Sequence, residues 1–241
     1  TCTWTDGSGA MEDTSVTYAT VDDTDHHTAK VTVDNADQDG TVGFSCTFSD
    51  SAGNAVASAV TALTGGSAIT IDNTHPAISA VSAAWGTHLN AAEDNSAGTV
   101  TITTSGAEDG QTVTTTINSV TDTCSVSSNS CTVTVAASDL QGLTSGTSYT
   151  IAVDVSDAAG NAATQNTGTS FIYDSTLPSV SSIAVTGVTS GQYGTASTYT
   201  VIVTASEALS AAPTLSLAGG TVGSGTGSSS DTVWTYTFTP T

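Results

Sequence analysis

The sequence predicts an all-β chain of tandem β-sandwich domains, and three observations predict it. Thr, Ser, Gly, Ala and Val dominate the 241 residues while Lys and Arg together number 1. Such β-branched, turn-rich composition suits pleated strands and resists helix. Runs such as "TVTITTS" alternate threonine with Val or Ile, which puts hydroxyls on a solvent face and apolar groups on a core face. Finally, one seam is spelled twice. "SDSAGN" at 49–54 is followed by "DNTHP" at 72–76, and "SDAAGN" at 156–161 by "DSTLP" at 174–178.

The seams set the period. Asp72 and Asp174 lie 102 positions apart, and Asp50 and Asp157 lie 107 apart. A repeat near a hundred residues fits a sandwich and is too long for a solenoid. Domains are expected at 1–75, 76–175 and 176–241.

The first segment offers the strand-like runs "TCTWT" and "GFSCTFS", begins in what would be a second strand, and closes on the seam. The middle segment reads in order as the strand "AISAVSAAW", the polar loop "HLNAAEDNSAG" and the strand "TVTITTS". The turn "GAEDGQ", "TVTTTINSV" and "TCSVSSNSCTVTVAA" follow, then the loop "SDLQGLTSGT", "SYTIAVDV", the turn "SDAAGN" and "GTSFIYD". About seven strands in about a hundred residues is the count of an immunoglobulin-like sandwich. The last segment supplies about four strands up to "WTYTFTPT", with no third S-D-x-A-G-N. The expectation is therefore a rod of immunoglobulin-like domains, one complete and two partial.

The 22 acidic residues face one base, Lys30, giving a formal charge of -21. Phosphate recognition needs clustered Lys and Arg, so nucleic acid and anionic membrane are excluded as partners. No run approaches the roughly 18 apolar residues that span a bilayer. Self-repulsion of such a surface is relieved by salt or divalent cations. Cys124 and Cys131 flank "SVSSNS", a loop that a disulfide across a hairpin would close, and Cys2 and Cys46 both sit in strand-like runs. Neither pair has the C-x-x-C spacing of a zinc or redox site. Two structural disulfides in an oxidising, extracellular setting are expected.

The run "LNAAEDNSAGTVTITTSGAEDGQTVTTTI…CTVTVAASDLQGLTSGTSYTIAVDVSDAAGNAA" resembles the bacterial Ig-like repeats of giant surface adhesins and biofilm-associated proteins. "YTVIVTASEALSAAPTLSLAGG" is similar to another repeat type of the same large extracellular proteins. The resemblance covers 76–241 well and 1–75 mainly through the seam. It implies sandwiches in series, with Ca²⁺ often bound where they join. Strand order then sorts the acidic groups. Glu108, Asp109, Asp157 and Asn161 face backward to Asp72 in the first seam; Glu93 and Asp94 face forward to Asp174, which Glu207 meets from the third segment. Ca²⁺ takes six to eight oxygens, which such groups can supply. Asp, Asn and Gly are also what tight turns prefer for their own reasons. Pro76 and Pro178 fix φ and hold the preceding residue extended, so each seam reads as a stiff joint.

No catalytic residues are expected. "VDDTDHH" pairs His26 and His27 with Asp22, Asp23 and Asp25, but neighbours on a strand point to opposite faces, and a solvated loop is the preferred reading. His75 and His88 read as isolated exposed polar residues. "GGTVGSGTGSSSD" lacks the lysine and helix of a phosphate loop. Trp4, Trp85 and Trp234 could stack on sugars, and core packing is preferred. The chain thus reads as a non-enzymatic extracellular stalk or filament shaft whose partners are neighbouring Ig-like domains. Two other readings use the same residues: a self-assembling filament or surface-layer subunit completed by strands from copies of itself, and an adhesin module for glycans or surfaces.

Overall fold

The computed structural model describes residues 1–7, 9–11, 17–20, 27–34, 36–187, 194, 197–228 and 230–241. The chain divides into two compact units, Thr1–Tyr173 and Asp174–Thr241.

The first unit opens with β1 (Cys2–Thr5), β2 (Thr17–Thr20), β3 (His27–Lys30), β4 (Gly40–Thr41), β5 (Gly43–Cys46) and β6 (Thr70–Ile71). These pair as β1 with β5, β2 with β3 and β4 with β6, all antiparallel. Cys2 stands opposite Cys46 and is bonded to it. His26, Asp22, Asp23 and Asp25 lie outside the described residues.

Ten elements follow: β7 (Ala77–Ala83), β8 (His88–Asn90), a single 3-10 turn (Glu93–Asn95), β9 (Gly98–Ser105), β10 (Thr112–Ile117), β11 (Val120–Ser125), β12 (Ser130–Val135), α1 (Ala137–Gln141), β13 (Thr147–Val155) and β14 (Asn166–Asp174). They form a five-stranded sheet, β11-β10-β13-β14-β8, and a three-stranded sheet, β12-β9-β7. Val100, Ile102 and Val133 from the small sheet meet Val113, Ile151, Val153 and Phe171 from the large one in a single core. The alternation read from the sequence is the cause: in β9, Val100 and Ile102 are buried while Thr101 and Thr103 stay in solvent. An all-β immunoglobulin-like sandwich is what the chain forms.

Three details depart from the sequence reading. The loop "SDLQGLTSGT" begins with the short helix α1, which buries Leu140. A one-and-a-half-turn helix shows no period to detect. Cys124 and Cys131 do bond, but β11 and β12 belong to different sheets, so the disulfide ties the two sheets together and does not cross a hairpin. The hairpin is β10–β11, whose turn residues Asn118 and Ser119 both have positive φ, 48° and 67°, the geometry that matches strand twist. Third, β1 pairs with β5 as β10 pairs with β13. That gives β1 the place of β10 in the middle sandwich, where the sequence reading takes it for a second strand.

The second unit is one sheet, β15-β16-β18-β17, from β15 (Val180–Thr186), β16 (Tyr199–Ala205), β17 (Gly220–Val222) and β18 (Val233–Pro240). Its core holds Tyr199, Val201, Val203, Trp234, Tyr236 and Phe238, covered by Leu209, Leu215 and Leu217.

Candidate functional site: the joint at 72–76

The two S-D-x-A-G-N motifs fold alike. Asp157 Oδ1 accepts from the backbone N–H of Gly160 and Asn161, each at 2.8 Å, and Oδ2 from Asn161 Nδ2 at 2.9 Å. Asp50 accepts from Asn54 N at 2.8 Å and from Asn54 Nδ2 at 2.7 Å. Gly53 and Gly160 sit at φ 90° and 99°, which only glycine adopts freely. Burial pushes the Asp157 carboxyl up, but hydrogen bonds from Asn161, Gly160 and Ala159 outweigh it and hold it below the ordinary carboxylate range. Asn54 does the same for Asp50 through its side chain and backbone.

The second motif does more than turn the chain. Asn161 Nδ2 also donates to the backbone carbonyl of Asp72 at 2.8 Å, across 89 residues. His75 Nδ1 donates to Ala162 O at 2.8 Å. Pro76 is buried, and a Cβ on Gly106 would stand 3.3 Å from Pro76 Cα. So the middle sandwich grips Asp72, His75 and Pro76.

The preceding segment grips the residues between. Asp39 accepts from Asn73 N at 2.6 Å and from the Thr74 hydroxyl. Asn73 Nδ2 donates to Asp37 O at 2.8 Å. The Thr74 hydroxyl and the Asn73 N–H hold the Asp39 carboxyl below its usual range. Asp37 is itself buried and receives Asp34 N at 2.9 Å. Within the seam, Asp72 Oδ1 accepts from Thr74 N at 3.0 Å, and Asp174 Oδ1 repeats this with Thr176 N at 3.0 Å.

Of the residues expected to face Asp72, Asn161 reaches its carbonyl, Asp157 holds Asn161, and Glu108 Oε2 accepts from Ala158 N at 2.9 Å. Asp109 Oδ1 accepts from Ser128 N at 2.7 Å. Glu93 accepts from Asn90 N at 3.0 Å. Asp94 points inward: it is 6% exposed and accepts from Tyr173 OH at 2.6 Å. Glu207 Oε1 is enclosed with no hydrogen-bond partner among the described residues. Also among the described residues, no three His, Cys, Asp or Glu side chains converge on one point. A calcium shell at Asp72 would therefore have to share oxygens that already accept N–H groups.

From sequence alone His75 reads as an isolated polar residue, and nothing marks Asp37 and Asp39 as seam partners. The spacing in "DNADQDG" was the one available signal for the aspartates. Trp85 and Trp234 are 7% and 4% exposed, so both pack in cores and offer no stacking platform.

Fold and joint together define an immunoglobulin-like sandwich entered through a hydrogen-bonded seam. No protein-family model matches the chain, and no curated protein does. Solved structures do. One is a bacterial immunoglobulin-like domain from the M. primoryensis ice-binding adhesin, with 33% identity over 39% of this chain and 94% of that domain, TM-score 0.30. Another, described as a Ca²⁺-stabilized adhesin that helps an Antarctic bacterium reach out and bind ice, gives 26% identity over 98% of this chain, TM-score 0.42. A third concerns host cell surface retention of a 1.5-MDa bacterial ice-binding adhesin: 24% identity, 84% of this chain, 64% of that one, TM-score 0.41. The chain spans 56% of the Antarctic structure's length. All three similarities are to parts of bacterial adhesins, two of them described as ice-binding.

Proposed function

We propose that this chain is a non-enzymatic extracellular spacer, part of a stalk or shaft in which sandwiches are held in series by stiff joints. One observation carries the reading: five consecutive residues, Asp72 to Pro76, are held from both sides. Asp37 and Asp39 hold Asn73 and Thr74, while Asn161, Ala162 and Gly106 hold Asp72, His75 and Pro76. A linker of a few residues, proline-stiffened and with its polar groups satisfied, has little freedom left to bend. Such a joint passes tension from strand β6 into strand β7 and needs no chemistry of its own.

Calcium enters as a second brace. Glu108, Asp157 and the Asp72 carbonyl are the groups that would hold it at the first seam, and Asp174 and the enclosed Glu207 oxygen those at the second. The adhesin described as Ca²⁺-stabilized supports this part of the reading. The test is solution scattering of the whole chain in calcium and in chelator. A profile that broadens when the ion is removed supports the brace, and superimposable profiles would remove it while leaving the hydrogen-bonded joint standing.

A further inference from the structure

The middle sandwich buries a carboxylate at the end away from the 72–76 seam. Asp94, 6% exposed, lies in the 3-10 turn and accepts from Tyr173 OH at 2.6 Å. The turn itself is interlocked. Asn90 Oδ1 accepts from Ala92 N and Glu93 N, and Glu93 Oε2 accepts from Asn90 N in return. Gln141 Nε2 of α1 donates to Asp94 O at 3.2 Å, which ties the turn to the body of the domain. Tyr173 is the last residue before Asp174, where β14 ends.

Topology decides what this pair meets when the chain is pulled. β7 starts at the seam: Ala77 stands opposite Ser105, and the neighbouring Gly106 packs on Pro76. From there β7 and β8 lead to the turn that holds Asp94. β14 starts at Asn166, opposite Val153 near the S-D-x-A-G-N turn, and ends at Tyr173 beside Asp94. The first and last strands thus run the same way, one entering at the seam end and the other leaving at the far end. They also touch. β8 lies beside β14 in the large sheet, Ile172 N donates to Thr87 O at 3.0 Å, and Thr169 Oγ1 donates to Val81 O at 3.5 Å.

Tension applied through Pro76 and Asp174 therefore drags these strands past each other along their own length. The contacts between them are loaded together, in shear, and not one after another. Asp94 and Tyr173 close that patch at the exit, where the pull reaches β14 first. A hydrogen bond to a charged acceptor in a buried site is among the stronger contacts available there.

We infer that the Asp94–Tyr173 bond is a load-bearing latch, which holds the last strand against the first part of the sandwich when the chain is in tension. The inference rests on the spacer reading and names the residues that resist the load. It is independent of calcium.

The test is force spectroscopy of the full chain, held by its two ends at constant force. The middle sandwich, Ala77 to Tyr173, gives the longest step, roughly 300 Å at about 3.5 Å per residue. The Cys2–Cys46 bridge shortens the step of the first segment, and the second unit begins only at Asp174. Forced unfolding follows the barrier and not the equilibrium stability. Tyr173→Phe and Asp94→Ala should each raise the rate of the longest step at least about tenfold at a given force. Val113→Ala is the control, because Val113 is fully buried in β10, which sits between β11 and β13 and away from the loaded strands. Its truncation should cost comparable equilibrium stability in denaturant yet change the rate under force less than about threefold. Equal acceleration by Val113→Ala, or a wild-type rate in Tyr173→Phe and Asp94→Ala, overturns the latch. A flexible seam would show separately, as slack at low force before any step, and would count against the spacer reading while leaving the comparison of variants intact.

Discussion

Asn161 Nδ2 reaches the backbone carbonyl of Asp72 at 2.8 Å while also bonding the Asp157 carboxylate at 2.9 Å. One amide thereby closes a turn and fastens a seam that is 89 residues earlier in the chain. The S-D-x-A-G-N motif has two duties here, and they can be separated. Asn54 makes the same turn with Asp50, and its amide serves only that carboxylate among the described residues.

Asn161→Ala should therefore cost more than Asn54→Ala. Each loses a turn bond to a charged group, and Asn161 loses the seam bond as well. At about 1–3 kcal/mol per such bond, the excess for Asn161 is on the order of 1 kcal/mol. Denaturant titration should give that difference, and proteolysis should cut Asn161→Ala at 72–76 sooner than Asn54→Ala.

Acid should loosen the joint before it melts the middle core. Asp39, Asp50 and Asp157 all have folded pKa values below the unfolded carboxylate value, near 3.9. Their stabilisation is complete above that value and is lost as pH falls through the lower, folded values. Amide exchange at Asn73, Gly160 and Asn161, whose N–H groups donate to Asp39 and Asp157, should accelerate on acidification below about pH 4 relative to intrinsic rates. Protection at Val100, Ile102 and Ile151 should persist longer, since among the described residues their strands pair backbone to backbone with no carboxylate in the ladder.

Reduction should act unequally on the two bridges. Cys2–Cys46 spans 44 positions and Cys124–Cys131 spans 7. Chain-entropy arguments give about 4 kcal/mol for the long loop and about 2.5 kcal/mol for the short one. Among the described residues the first segment also has the weaker core, with Phe44 against Trp4 as its aromatic contact. Under reductant, proteolysis should remove 1–71 first and leave the middle sandwich, as mass spectrometry of the fragments would show.

Tyr173→Phe should destabilise the middle sandwich, because it leaves the buried Asp94 carboxylate short of a donor. Hydrogen bonds to charged groups are worth about 1.5–3 kcal/mol. The double variant Tyr173→Phe with Asp94→Leu should recover part of this loss. Additive effects in a double-mutant cycle would contradict the pairing.

Much of the fold was legible in the sequence, and the reasons are local. Alternation in "TVTITTS" and "SCTVTV" assigns each side chain to a face, and those faces are the ones observed in β9 and β12. The seam period was legible because each seam repeats as a short string. What was not legible depends on contacts between distant segments. His75 finds Ala162, and Thr74 finds Asp39, only after the chain has folded. Asp94 looked like a group facing a joint, yet it turns inward because Tyr173 supplies a buried hydroxyl. The bridge between Cys124 and Cys131 was foreseen, but which sheets it ties depends on β12 crossing to the small sheet.

The most direct test of the spacer reading is the backbone order of the seam. Relaxation of ¹⁵N amides in the full chain gives order parameters for Asn73, Thr74 and His75 beside those of β7 and β9. A seam held from both sides should match the strands, at about 0.85. Values below about 0.6 at these residues would mean a flexible tether, and the stiff joint would be wrong.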